Sequence, residues 1–209
     1  MAKQNAIYVC AGLTERSNDQ VYNAAVIIDK QGKLLCKHRK LNELGIGHEY
    51  YAQGDRLNVV ETEFGTFGLM ICADGCAKDH VLARSLCYMG ADVILSPSAW
   101  AVATDHDNTK DPYGDTWRHS YIPVAREFST AIFGVSNVGK ITDGPWKGRK
   151  CIGCSLAIDS DGQEIFQGLY GIDAECILYV DVQPTSRPAR GTGWNSVWEQ
   201  MDSEQGPAR

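Results

Sequence analysis

Residues 67–75 read Phe-Gly-Leu-Met-Ile-Cys-Ala-Asp-Gly, an apolar run that ends in a cysteine. A Gly-containing turn at 64–65 precedes the run, so the pattern predicts a short buried β-strand. From Asp79 the apolar residues recur at helical spacing and stop at Gly90, which predicts an amphipathic helix. Cys72 is therefore expected at a strand-to-helix junction, on the sheet edge where open α/β folds expose their ligands.

A thiol at such a junction suits nucleophilic chemistry. An adjoining helix N-terminus would supply free N–H groups and a positive partial charge, which favour a thiolate and stabilise an oxyanion. Free cysteine is usually a small buried apolar side chain, and this chain holds eight cysteines. Cys72 stands apart because the other seven lack a comparable junction, so we expect Cys72 to be the reactive thiol.

The composition is that of an ordinary globular protein. The 209 residues are 44% hydrophobic and 22% charged, with a formal net charge of −6. Such a chain can bury a substantial core, and nucleic acid is not expected as a partner. No apolar stretch has the length of a membrane span, no leader-like segment is evident before Ile7, and the cysteines are scattered. These features favour a cytoplasmic protein without membrane association.

The rest of the chain alternates short apolar strands with a few helices. Strand patterns occupy 7–13, 22–28, 33–37, 91–97, 131–136, 154–158, 164–167 and 177–182, and residues 117–128 have a helical pattern. Asp29-Lys30-Gln31-Gly32 is typical of a tight hairpin turn. Strands joined both by hairpins and by helices predict an α/β fold with a mixed sheet covered by helices.

Four adjacent basic or imidazole side chains, Lys37-His38-Arg39-Lys40, follow the third predicted strand. Such a run is most often a solvated edge. Alternation along a strand nevertheless places His38 and Lys40 on one face and Lys37 and Arg39 on the other. A lysine that points inward needs a carboxylate or an anion to meet it. Beside a cysteine it would lower the pKa of the thiol and protonate a leaving amine.

Several landmarks follow one another along the chain in a recognisable order. They are Lys40 within His38-Arg39-Lys40-Leu41, Glu49, residues 51–55 (Tyr-Ala-Gln-Gly-Asp), Ile71-Cys72-Ala73-Asp74 and Ser96-Pro97-Ser98-Ala99-Trp100. Together they resemble the nitrilase superfamily, the carbon-nitrogen hydrolases, and the resemblance extends from about Ile7 to Val182. It places the carbon-nitrogen hydrolase domain at residues 1–185, followed by a C-terminal tail at 186–209.

The resemblance implies a four-layer αββα sandwich that hydrolyses an amide, carbamoyl or nitrile bond of a small molecule. In it, Cys72 would attack carbon, and Lys40 with the backbone N–H after Cys72, that of Ala73, would stabilise the oxyanion. Glu49 matches the additional acidic residue of the family, although a solvated loop glutamate is an equal alternative. Trp100 would line the substrate pocket, or serve only as a core residue.

One departure from the family pattern concerns the general base. The resemblance implies a glutamate at a strand end upstream of the region matched here, so the sequence suggests an N-terminally truncated homologue that lacks the first strand and helix region. A catalytically impaired homologue that serves as a binding or regulatory subunit is therefore the alternative function. An uncovered sheet would also favour a homo-oligomer or a partner chain.

Metal binding is the main alternative of another class. Cys151 and Cys154 have zinc-like spacing, and Cys72 with Cys76 or His80 would have to supply the other ligands. Structural zinc sites need four ligands, usually from two pairs on tight turns. The second set here is spaced differently and enters the predicted helix, so we expect neither a metal nor an organic cofactor.

Overall fold

The computed structural model describes residues 1–184, in which β-strands alternate with a few short helices. The α-helices are α1 (Ala2–Asn5), α2 (Val81–Tyr88) and α3 (Gly114–Phe128). The strands are β1 (Val9–Ser17), β2 (Gln20–Ile28), β3 (Leu34–Arg39), β4 (Val59–Thr62), β5 (Gly65–Leu69), β6 (Val93–Ser98), β7 (Ala101–Val102), β8 (Ala131–Ser136), β9 (Val138–Lys140), β10 (Lys150–Ile152), β11 (Leu156–Ile158) and β12 (Glu164–Gln167). Single 3-10 turns span Gly45–Glu49, Cys72–Cys76 and Lys78–His80.

The large sheet has six strands in the order β12-β11-β8-β6-β5-β4. Its central pairs, β5 with β6 and β6 with β8, are parallel, whereas the outer pairs are antiparallel. The apolar runs that form β6 and β8 are buried because helices cover one face of this sheet and strands cover part of the other. This is the mixed, helix-covered sheet that the sequence predicts.

A second, antiparallel sheet contains β1, β2 and β3 in that order. The hairpin between β2 and β3 closes where predicted, because the Asp29 carboxylate accepts the backbone N–H groups of Gln31 (2.9 Å) and Lys33 (2.8 Å). A third sheet has the order β7-β10-β9. Along the chain, β7 follows β6, β9 follows β8 and β10 precedes β11.

Two apolar clusters fix the layers. On one face of the large sheet, α2 and α3 pack through residues such as Leu86 and Tyr121 onto Ile94 and Ile132. On the other face, Leu69 of β5 and Ile71 just beyond it meet the small sheet at Ala25, Ile27 and Cys36. The described residues therefore stack as helix, sheet and sheet, three successive layers of the expected αββα sandwich. No helix among residues 1–184 is long and apolar enough to span a membrane.

The structure differs most from the sequence prediction in three places. β1 continues to Ser17, beyond the predicted end at residue 13, because it pairs with β2 residue by residue. The chain reverses at Asn18, whose φ is +53°. The α-helix after Cys72 begins only at Val81, because Asp79 and His80 both have left-handed backbone angles. Residues 177–182 form no strand, since no described strand pairs with them. The expected tail at 186–209 lies outside the described residues.

Charged side chains tie the outer strands of the small sheet together. Glu15 on β1 accepts two hydrogen bonds from Arg39 on β3, at Nε and Nη2 (both 2.8 Å), and one from Lys37. Arg39 also lies 3.8 Å above the ring of Tyr22. Hydrogen bonding from Arg39 and then Lys37 lowers the pKa of Glu15 to about 2.

We expect Glu15→Gln to lower the free energy of unfolding by about 1 kcal/mol at pH 7, the upper range for partly exposed ion pairs. The pKa of folded Glu15 lies below its ordinary value of 4.5, so the stabilisation is complete above about pH 4.5 and is lost as the pH falls toward 2. Urea unfolding across this pH range should show the two proteins converging in acid. Glu63→Gln, which removes the single exposed contact to Lys30, is the control; equal pH dependence in both variants would contradict the prediction.

Candidate active site

Cys72 lies in a strained turn three residues after the end of β5 at Leu69. Ile71 has extended backbone angles, whereas Cys72 has φ +47°, a left-handed conformation that is unfavourable for a side chain with a Cβ. The turn Cys72–Cys76 is a 3-10 helix, and α2 begins nine residues beyond Cys72. The predicted support from an adjoining α-helix N-terminus is therefore wrong, because the chain first makes two short turns.

Separate groups, namely Lys40 and the backbone of Ala73 and Ala99, stabilise the thiolate form of Cys72 instead. Burial raises the pKa of the Cys72 thiol, and the charge of Lys40 and backbone hydrogen bonds from Ala73 and Ala99 oppose that rise. A neighbouring thiol, Cys76, adds to the upward shift. Together these effects raise the pKa of the Cys72 thiol, and the charge of Lys40 is the largest of those that oppose the rise.

Lys40 follows β3 and points inward, as the alternation along the strand predicts. Its side chain is only 4% exposed, and Nζ donates a 2.7 Å hydrogen bond to Oε1 of Glu43, whose side chain is 6% exposed. The same oxygen accepts the backbone N–H of Leu44 (2.9 Å), and Oε2 accepts a hydrogen bond from Asn23 (3.3 Å). Glu43 thus neutralises the buried ammonium group, which would otherwise be costly to remove from water.

A wide cavity of about 1420 Å³ brings these groups together. Cys72, Ala73, Lys40 and Glu43 all line it. Aromatic and apolar side chains complete much of the wall, among them Leu13, Tyr50, Tyr51, Tyr113, Ile141 and Trp146. The arrangement places a thiol, a cation and a backbone N–H on one concave surface, which are the parts needed for acyl transfer through a thioester.

Two of the residues predicted for the site lie elsewhere. Glu49 ends the turn Gly45–Glu49, is exposed, and is not among the residues that line the cavity. Trp100 is fully buried and stacks on Trp117 with ring centroids 4.5 Å apart. The geometry therefore supports the core alternative for Trp100 and the solvated alternative for Glu49.

Glu43 is the acidic partner of Lys40 that sequence reasoning did not assign. The signal was its spacing of three residues from Lys40 on a tight loop. The loop accommodates the carboxylate because residue 47 is glycine: a Cβ at Gly47 would lie 2.6 Å from Cγ of Glu43.

Possible metal ligands are dispersed. Among residues 1–184, no group of three or more His, Cys, Asp or Glu side chains is placed to hold a metal ion. Cys151 and Cys154 are buried, while Cys76 is exposed and its sulfur lies 3.3 Å from the hydroxyl of Ser120.

Comparison with known proteins identifies the class. A family model described as carbon-nitrogen hydrolase matches residues 1–190, and the chain belongs to this family. It is 30% identical over 128 residues to a probable nitrilase of Schizosaccharomyces pombe, a match that covers 61% of this chain and 42% of the relative. It is 32% identical over 114 residues to a hydrolase of the same organism, covering 50% of this chain and 35% of that protein. The chain thus spans well under half the length of these relatives.

Solved structures show the same fold. A carbon-nitrogen hydrolase of Helicobacter pylori has a TM-score of 0.73 at 22% identity, with 82% of this chain and 61% of that chain covered. An amidase of Nesterenkonia sp. AN1 has a TM-score of 0.64 at 19% identity, with 82% and 60% covered. These matches confirm the nitrilase-superfamily fold that the order of the sequence landmarks indicates.

We expect Lys40→Met to raise the pKa of Cys72, because it removes the cation and leaves the Glu43 carboxylate unpaired. Each unit of increase lowers the thiolate fraction about tenfold below the midpoint. The rate of Cys72 alkylation by iodoacetamide, followed by peptide mass spectrometry from pH 6 to 10, should shift to higher pH.

Two variants control this experiment. Lys37→Met removes a lysine from the opposite face of β3, where it contacts Glu15, and should leave the pH profile unchanged. The double variant Lys40→Met with Glu43→Gln should have an alkylation pH profile between those of wild type and Lys40→Met, because it removes the cation without leaving an unpaired carboxylate. An identical profile for wild type and Lys40→Met would show that Lys40 does not act on the thiol.

Proposed function

We propose that this chain carries the nucleophile and the lysine of a thiol-dependent hydrolase of non-peptide carbon-nitrogen bonds, acting on an amide, carbamoyl or nitrile group of a small molecule. The observation that carries the proposal is the placement of Cys72 and the buried Lys40–Glu43 pair on one cavity. Family membership supports the same chemistry.

For an amide, the Cys72 thiolate attacks the carbonyl carbon, forming a C–S bond while the carbonyl electrons move to oxygen. The backbone N–H of Ala73 and the ammonium of Lys40 stabilise the oxyanion. As the oxyanion collapses, the C–N bond breaks and Lys40 donates a proton to the leaving amine. Water then attacks the thioester and one of its protons returns to Lys40, and breaking the C–S bond releases the acid and regenerates the Cys72 thiolate.

We assign Glu43 to orienting Lys40. Its oxygens are already engaged, Oε1 with Lys40 and Leu44 and Oε2 with Asn23, so the carboxylate is poorly placed to take a proton from water as well. This engagement is the observation that favours the alternative function, an impaired or non-catalytic homologue that acts as a binding or regulatory subunit. Such a protein would keep a reactive thiol without rapid turnover, since general-base assistance is commonly worth a factor of about 10² to 10⁴.

The decisive experiment separates capture of an electrophile from turnover. An amidase variant of Nesterenkonia sp. AN1, in which a glutamate is replaced by leucine, shows covalent addition of the acetamide moiety of fluoroacetamide at its active-site cysteine. Fluoroacetamide is therefore a suitable probe for Cys72, and ammonia release from acetamide, propionamide and butyramide measures turnover.

For the hydrolase we expect labelling of Cys72 together with ammonia release, both abolished by Cys72→Ala and both retained by Cys76→Ala, the matched control. Labelling at Cys72 without measurable release would support the impaired homologue. Neither labelling nor release in a folded protein would contradict both functions.

We also propose that the chain forms a homo-oligomer through the open part of the large sheet. A groove of about 940 Å³ lies there, walled by apolar residues including Phe67, Val93, Leu95, Phe133 and Leu156. At its edges Phe64 is 57% exposed and Phe166 is 39% exposed. Contiguous exposed apolar surface of this kind favours association, and a second copy of the chain is the occupant we expect.

Sedimentation at micromolar concentration should therefore show a dimer or a larger species, and Phe166→Lys should shift it toward monomer by placing a charge in the interface. Val81→Lys is the control, because Val81 is 51% exposed on α2, in the helical layer on the opposite face of the large sheet. A monomer in the wild type, or equal effects of both substitutions, would contradict the proposal.

A further inference from the structure

A completely buried carboxylate and imidazole lie beneath the cavity without lining it. Asp74 and His38 are both 0% exposed, and Nε2 of His38 lies 2.8 Å from Oδ2 of Asp74. Asp74 follows Cys72 by two residues, and His38 precedes Lys40 by two. The pair therefore joins the two segments that carry the proposed nucleophile and the proposed lysine.

The Asp74 carboxylate binds backbone on both sides of this junction. Its Oδ1 accepts the N–H groups of Leu41 (3.1 Å) and Asn42 (2.7 Å), the two residues directly after Lys40. Its Oδ2 accepts the N–H of Ile71 (2.9 Å), the residue directly before Cys72. The Asp74 carboxylate thus accepts three backbone N–H groups, and we assign Nε2 of His38 as the donor of the fourth hydrogen bond because carboxylate oxygens accept.

A return hydrogen bond closes the junction. The side-chain amide of Asn42 donates to the backbone carbonyl of Ala73 at 2.7 Å. The backbone N–H of Asp74 also donates to the carbonyl of Ile71 at 3.0 Å. Cys72 thus lies between Ile71, whose N–H donates to Asp74, and Ala73, whose carbonyl accepts the Asn42 amide. These contacts account for how the strained φ of +47° at Cys72 is maintained.

We propose that Asp74, held in place by His38, is a positioning residue that sets the separation of Lys40 from Cys72. The inference rests on the proposed function, because it assigns Asp74 to the alignment of that same thiol and lysine. Asp74 touches no substrate, since it does not line the cavity. Loss of its carboxylate would release the backbone on both sides at once, and the cation and the thiol would lose their fixed distance.

The alternative is that Asp74 only stabilises the fold. Asp29 provides a matched control: it is also buried, at 8% exposure, and its carboxylate also accepts two backbone N–H groups, but it does so in the β2–β3 hairpin and does not line the cavity. Asp29→Asn and Asp74→Asn should both lower stability to urea. Only Asp74→Asn should alter the chemistry of Cys72, because its new NH₂ group would oppose donors that the carboxylate accepted.

The test measures the pH profile of Cys72 alkylation by iodoacetamide in wild type, Asp74→Asn, Lys40→Met and the double variant. We expect Asp74→Asn to slow alkylation about threefold or more at a fixed pH below the midpoint, which corresponds to about half a pKa unit. Lys40→Met should have a smaller effect in the Asp74→Asn protein than in wild type, because the two residues act as one unit.

Each outcome bears on one claim. A normal profile for Asp74→Asn, alongside a shifted profile for Lys40→Met, would overturn the positioning role and leave the proposed function intact. A normal profile for Lys40→Met would instead overturn the proposed pairing of lysine and thiol. An equal shift in Asp29→Asn would show that general destabilisation is responsible and would also overturn the positioning role.

His38 supplies a second route should Asp74→Asn fail to fold. His38→Gln keeps a side-chain N–H that can reach Asp74, whereas His38→Leu has the bulk but no donor. We expect the alkylation profile to be close to wild type in His38→Gln and shifted to higher pH in His38→Leu. The same profile in both variants would overturn the part assigned to the imidazole.

Discussion

The free-energy cost of burying the Lys40 ammonium group is the constraint around which this region is organised. An unpaired cation at 4% exposure would be strongly unfavourable, so the loop after β3 folds back to bring Glu43 to it. Asn23 on β2 and the N–H of Leu44 then satisfy the remaining carboxylate positions. The ion pair contributes little net stability if both desolvation costs are counted. It nevertheless places a positive charge near Cys72, and this charge opposes the rise that burial causes in the pKa of the thiol.

Local sequence patterns predicted several strands and helices from the periodicity of those segments alone. β8 and β12 have the predicted limits, and the ends of β6 and α3 lie within a few residues of those predicted. The predictions were wrong where pairing with another strand, or the lack of it, decides whether a segment forms a strand. β1 is longer than predicted because the register with β2 extends it, and residues 177–182 are apolar yet form no strand.

The candidate site shows the same division. Cys72 and Lys40 could be found because each has a local signal, a strand end and an inward position in a strand. Residue type and position in the sequence could not identify the acidic partner of Lys40, since Glu43 and Glu49 are both glutamates in the loop after β3. The path of the loop decides between them, and that path depends on close packing of Gly47 against Glu43. Trp100 is of a residue type common in substrate pockets, but it stacks on Trp117 of helix α3 and is buried in the core.

The two reactive groups belong to different layers of the fold: Lys40 continues the small sheet, and Cys72 follows the large one. Their alignment is therefore a property of the contact between sheets, where Ala25 and Ile27 meet Leu69 and Ile71. Sliding of one layer by a fraction of an ångström would be transmitted to the chemistry even though every side chain at the cavity stayed the same. Selection on reactivity would consequently act also on the apolar residues of this seam, including Ala25, Ile27 and Leu69, which do not line the cavity.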